Sequence, residues 1–123
     1  LDTRMVRFCQ AGHPNPAVIH RDGKVAFYGE GGAPIGLMPG MEYETDVVQL
    51  APGERFMMFS DGITECENPD GEMLDEDGLA AALEKYRCQG ERALLEKVVQ
   101  EMAVFAGTDQ FTDDVSALIF TMP

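Results

Sequence analysis

Leu50-Ala51-Pro52-Gly53-Glu54-Arg55-Phe56-Met57-Met58-Phe59-Ser60-Asp61-Gly62-Ile63-Thr64-Glu65 is the stretch on which the fold turns. Pro52-Gly53 reads as a turn, because proline presets one turn dihedral and glycine accepts the unusual one beside it. Phe56 to Phe59 is continuously apolar, the pattern of a strand buried on both faces. Directly after it the character reverses. Asp61-Gly62 sets a carboxylate at the end of that rigid strand, with a glycine that lets the backbone turn sharply and leaves its carbonyl accessible. Upstream, Asp46-Val47-Val48-Gln49-Leu50 is β-prone, so it is expected to pair with Arg55–Ser60 as a hairpin about the Pro52-Gly53 turn.

Further toward the N-terminus, Met5–Cys9 reads as a strand, and Ala17–Arg21 and Lys24–Tyr28 flank Asp22-Gly23, a strong two-residue hairpin signal. Gly29 to Gly40 holds five glycines and two prolines, and it reads as loop. Its Gly31-Gly32-Ala33-Pro34-Ile35-Gly36 lacks the lysine and spacing of a phosphate-binding loop. Toward the C-terminus the period changes. Asp75 is placed to cap a helix through Arg87, with Leu79, Leu83 and Tyr86 on one face. Glu91 to Ala106 carries a stripe of Leu94, Val98, Met102 and Phe105, and Gly107 is placed to end that helix. Val115–Phe120 is the last strand. Strands, then helices, then a closing strand define an α+β chain with mainly antiparallel sheet and helices on one face.

The chain has 123 residues, 45% hydrophobic and 25% charged, which suits one globular domain and excludes a disordered tail or a disulfide knot. No apolar run reaches the roughly 18 residues of a membrane span. The net charge of −13 would repel phosphate backbones and anionic lipid, so neither nucleic acid nor membrane is an expected partner. Eight of the seventeen positions from Asp61 to Asp77 are acidic, and no basic residue lies between Arg55 and Lys85. Packing so many carboxylates together costs self-repulsion unless they are solvated or a cation sits nearby. Cys9, Cys66 and Cys88 share no ligand spacing, and unpaired thiols suit a reducing cytoplasm. Leu1-Asp2-Thr3-Arg4 shows neither a start methionine nor a signal peptide, and reads as the middle of a longer chain.

Chemistry concentrates at two strand ends. Asp61-Gly62 follows the apolar strand and Asp113-Asp114 precedes the last one. Hard cations such as magnesium or manganese take oxygen ligands and keep several waters, so one to three protein carboxylates suffice. On spacing alone, two ordinary turns also account for these sequences. The stretch Cys66 to Asp77 fails as a calcium loop, with cysteine at the first ligand position and aspartate at the twelfth, and Asn68-Pro69-Asp70-Gly71 reads as a β-turn. His13 lies at the end of the first strand and His20 reads as exposed. No serine or cysteine nucleophile accompanies either in a recognisable motif.

Taken in order, four segments resemble the bacterial SpoIIE/RsbU-type serine phosphatases of the metal-dependent protein phosphatase 2C superfamily. They are Ala-Gly-His-Pro-Asn-Pro (11–16), Gly-Gly-Ala-Pro-Ile-Gly-Leu (31–37), the stretch 50–65 quoted above and Asp-Asp-Val-Ser-Ala-Leu-Ile (113–119). The resemblance implies that residues 1–123 are the C-terminal portion of such a phosphatase domain, part of an α-β-β-α sandwich with two manganese or magnesium ions at one edge of its sheets. It implies hydrolysis of phosphoserine or phosphothreonine on a regulatory protein, typically an anti-anti-sigma factor. Asp61 matches the family's Ser/Thr-Asp-Gly motif and Asp113 its closing Asp-Asp/Asn motif, both as ligands of one metal. Asp114 ranks below Asp113, and the Gly62 carbonyl is the remaining candidate ligand. The metals would activate water and clamp the phosphoryl oxygens, which removes the need for a protein nucleophile. The family's bridging aspartate sits in an early Gly-Asp motif, and no such dipeptide precedes Asp61. The missing strands would leave apolar faces bare, so a homodimer is a possible association, and a catalytically inactive interaction module is the alternative function. A plain acidic α+β domain without metal is the third.

Overall fold

The computed structural model describes residues 3–123; Leu1 and Asp2, the first two positions of the expected domain, lie outside the described residues. In chain order the strands and helices are β1 (Met5–Phe8), β2 (Ala17–Ile19), β3 (Val25–Phe27), β4 (Asp46–Gln49), β5 (Arg55–Phe59), α1 (Asp61–Thr64), α2 (Asp75–Lys85), α3 (Glu91–Ala106) and β6 (Ala117–Thr121). They form three layers, a two-stranded ribbon, a four-stranded sheet and the helices, in the α+β class expected. The sheet runs β3-β2-β5-β6, antiparallel throughout, and the ribbon pairs β1 with β4.

Alternation along the strands builds two cores. Register sets Ala17 beside Met57 and Met57 beside Ile119, and this row faces the helices. Leu79, Leu83, Leu94 and Met102 of α2 and α3 pack onto it, all fully buried. The other row, Val18 beside Phe56 and Phe56 beside Phe120, faces the ribbon, where Val48, Leu50 and Met122 complete a second cluster. Burying each of these large side chains contributes about 1.5–3 kcal/mol before entropy is set against it. Strand β5 therefore sits between two cores, as its apolar run implies. Met58 is the exception, at 43% exposed, with Leu118 beside it at 59%.

The Asp22-Gly23 hairpin forms, with the His20 N–H donating to the Lys24 carbonyl at 2.9 Å and Gly23 in the left-handed region. The hairpin expected about Pro52-Gly53 does not. β4 pairs with β1 and β5 pairs with β2 and β6, so this turn carries the chain from the ribbon into the sheet. The reason is burial: Val48 and Phe56 both belong to the core between the layers, which requires the two strands to lie face to face. Helix α3 has the bounds its stripe predicted, ending at Gly107 with φ +70°. Asp75 opens α2 without a side-chain cap hydrogen bond and itself takes φ +57°, so it contributes negative charge to the first turn and no cap. Asn68–Gly71 is a turn as expected, closed by the Gly71 N–H on the Asn68 carbonyl at 2.9 Å.

Candidate metal centre

The centre is built where β5 runs out. Ser60 ends the strand's hydrogen bonding, with its N–H donating to the Ser116 carbonyl at 2.9 Å. Asp61 then opens the single turn α1, a helix that sequence reading took for a simple sharp turn. A serine at that position ordinarily caps the helix. Here its hydroxyl reaches across instead, donating to the Asp114 carbonyl at 3.1 Å and accepting from the Ser116 N–H at 3.0 Å. The segment before β6 is thereby clipped to the end of β5.

Gly62 makes the same approach possible by a different means. A Cβ at this position would lie 2.2 Å from the Asp114 carbonyl oxygen, so only glycine admits that backbone. Its backbone is helical and buried, and no left-handed conformation is involved. The glycine is needed for close approach rather than for the turn.

The consequence is a meeting of carboxylates from distant parts of the sequence. Oxygen atoms of Asp61, Glu65 and Asp113 all lie within 4.8 Å of one another, and all three residues are exposed. Asp113 Oδ1 also accepts the Asp114 N–H at 2.8 Å, which fixes one of its oxygens. Asp114 enters the centre through its backbone, and its carboxylate is not one of the three. Among the described residues the ion pairs are His20–Glu54, Lys85–Glu101 and Arg92–Glu96, so no basic side chain is paired with this cluster. Three like charges this close repel one another, and a hard divalent cation relieves that. The donor set is all carboxylate oxygen, which suits such an ion. A cleft of about 370 Å³ opens beside it, lined by Gly62, Glu65, Cys66, Thr108 and Asp113. Burial pushes the Cys66 thiol up, so it stays protonated and apart from the oxygen donors.

The family model described as Stage II sporulation protein E (SpoIIE) matches residues 1–123. The chain belongs to the SpoIIE family. No curated protein matches it closely enough to add to this. Among solved structures, this SpoIIE-family chain is similar to the SiaA-PP2C domain of Pseudomonas aeruginosa, with TM-score 0.80 and 23% identity over 98% of the chain and 47% of that domain. It is similar also to the SpoIIE PP2C phosphatase domain with a regulatory-domain fragment from Bacillus subtilis, with TM-score 0.77 and 20% identity over 97% of the chain and 34% of that one. The Mn-presoaked phosphatase domain of Bacillus subtilis SpoIIE gives TM-score 0.74 and 16% identity over 96% of the chain and 50% of the other. The chain thus spans about half, or less, of the structures it matches, and these likenesses establish a PP2C fold in part.

Within this SpoIIE-family fold, the two acidic dipeptides singled out by sequence do converge, through Asp61 and Asp113. Sequence reading missed Ser60 and Glu65. The i, i+4 spacing from Asp61 to Glu65 was the available signal for the second, and it becomes meaningful only once α1 is known to be helical. His13 is not part of the carboxylate group; it lines an apolar cleft of about 440 Å³ with Phe8, Pro14, Ile35, Met58 and Leu118. His20 is not simply exposed, being held between Glu54 and Tyr28. No helix among the described residues is long and apolar enough to cross a membrane.

Proposed function

We propose that this chain carries the metal-holding part of a manganese- or magnesium-dependent serine/threonine phosphatase domain. The observation that carries the reading is the grouping of Asp61 and Asp113 by the ends of β5 and β6, in a chain of this family. Asp61 and Asp113 hold the ion and set its place. Ser60 and Gly62 keep the two segments in register, and Gly62 lines the same cleft, its carbonyl being the further candidate oxygen. When bound, the ion supplies Lewis acidity, lowering the pKa of water and offsetting phosphoryl charge. The cleft beside the carboxylates has room for residues flanking a phosphoserine or phosphothreonine. The substrate is a phosphorylated regulatory protein, of the kind an anti-anti-sigma factor represents, in the cytoplasm.

A second reading takes the three grouped carboxylates as a site for one ion and no more. In it the chain is an inactive, phosphatase-derived interaction module. Manganese-dependent hydrolysis of a small aryl phosphate separates the two. Turnover by the 123-residue chain that disappears in Asp61→Asn supports the phosphatase. Manganese binding without turnover favours the module, or a site whose remaining ligands come from elsewhere, such as a second copy of the chain.

A further inference from the structure

We propose that the loop between β3 and β4, residues 28–45, is a docking loop for a protein segment that sets apolar side chains beside lysines or arginines. The metal centre plays no part in it. At the loop's tip Ile35 is 80% exposed, Leu37 64% and Met38 61%. Single exposed apolar side chains are ordinary on a soluble protein, but three so close together make a patch. Ile35 also lines the apolar cleft with Met58 and Leu118, so the patch continues onto the sheet.

The tip is held rather than loose. The Pro34 carbonyl accepts the Leu37 N–H at 3.3 Å and the Tyr43 hydroxyl at 3.1 Å, which closes the loop on both sides of the apolar residues. Its first arm is stitched to the segment after β1. The Gly12 N–H donates to the Gly32 carbonyl at 2.9 Å, and the Gly31 N–H to Oε1 of the buried Gln10 at 2.9 Å. A Cβ at Gly32 would collide with the Gln10 carbonyl, so glycine is what admits this contact. A surface fixed in advance loses little conformational entropy when it binds.

Charge selects the occupant. Glu30, Glu42 and Glu44 are exposed on the same loop, and the Tyr43 bond to Pro34 holds Glu42 and Glu44 near the tip. No lysine, arginine or histidine lies between Lys24 and Arg55. Membrane-binding apolar surfaces carry basic residues at their rim, whereas this rim would repel anionic lipid. A second copy would bring the same acidic rim against this one, and like charges oppose that pairing. The complement is an apolar segment flanked by basic side chains.

The test is fluorescence anisotropy on the 123-residue chain with a labelled synthetic peptide that alternates leucine and lysine, at about 0.15 M salt. Ile35→Ser, Leu37→Ser and Met38→Ser combined should weaken binding about tenfold or more, and Val104→Ser, equally exposed on α3, by less than about twofold. Glu42→Gln with Glu44→Gln should weaken it about threefold and flatten its salt dependence. The triple variant should melt with the parent; an early melt overturns the proposal, because the tip is then structural. Equal binding by the triple variant, or by a peptide with serine in place of leucine, also overturns it, since the net charge of the chain then suffices. So does a parent that leaves the peptide unbound. Retention of the parent but not the triple variant on phosphatidylserine vesicles assigns the tip to a membrane instead. Sedimentation of the parent as a dimer and the triple variant as a monomer assigns it to a second copy, and either result overturns the basic partner.

Discussion

The two ends of β5 carry carboxylates in opposite circumstances. Before the strand, Glu54 is 9% exposed and surrounded by donors. Its Oε2 accepts the Ala51 N–H at 2.9 Å, and its Oε1 accepts the Arg21 N–H at 3.3 Å and the His20 Nδ1–H at 3.0 Å. Tyr28 completes the chain, its hydroxyl hydrogen-bonded with His20 Nε2 at 3.1 Å. Beyond the strand, Asp61 is exposed and faces two other carboxylates. Burial alone would raise the Glu54 pKa, but the donors from Ala51, His20 and Arg21 outweigh it and hold it below the usual carboxylate range. Glu54 is satisfied by the protein and ties the hairpin β2–β3 to the turn before β5. The charge around Asp61 is left for something from outside to satisfy. A carboxylate at a strand end is therefore a structural tie or a candidate site according to what the rest of the fold brings to it.

The largest expected effect comes from closing the open end. Gly62→Ala places a methyl group against the Asp114 carbonyl and should lower stability by about 3 kcal/mol, as overpacking against rigid backbone does. Urea melts measure that loss, and an unchanged midpoint would show that the segment before β6 can move away freely. The satisfied end comes next. Glu54→Ala leaves two backbone N–H groups and His20 without an acceptor and should cost about 2 kcal/mol at neutral pH. Its sign with pH follows from the depressed pKa. The contribution is fully present above the ordinary value of 4.5 and is lost as pH falls through the lower folded value. The stability gap between parent and Glu54→Ala should thus narrow on acidification from about pH 7 to below about pH 4. A gap that stays constant would detach the effect from the carboxylate's charge. Ser60→Ala is the smallest, at about 1 kcal/mol for the lost clip. It should also weaken manganese binding, though less than Asp61→Asn, because it loosens Asp113 without removing a ligand. Parent-like manganese affinity in Ser60→Ala would mean the clip does not position the site.

Several features were legible in the chain because they depend on residues close in sequence. The stripe from Leu94 to Phe105 and the glycine after it determined α3 to the residue. Asp22-Gly23 determined the hairpin β2–β3, and the order of motifs determined the family and the two acidic dipeptides worth watching. Strand pairing was not legible. Asp46–Gln49 and Arg55–Phe59 carry the pattern of a hairpin, and only the core shared by Val48, Phe56 and Met122 shows that they lie in different layers. The same holds for the roles of Ser60 and Gly62. A serine and a glycine have many local uses, and which one applies depends on a backbone more than fifty residues away. Local periodicity and turn chemistry are properties of neighbouring residues, so the sequence alone determines them. The meeting of Asp61, Glu65 and Asp113 depends on the long-range pairing of β5 with β6, so it was decided by the tertiary structure alone.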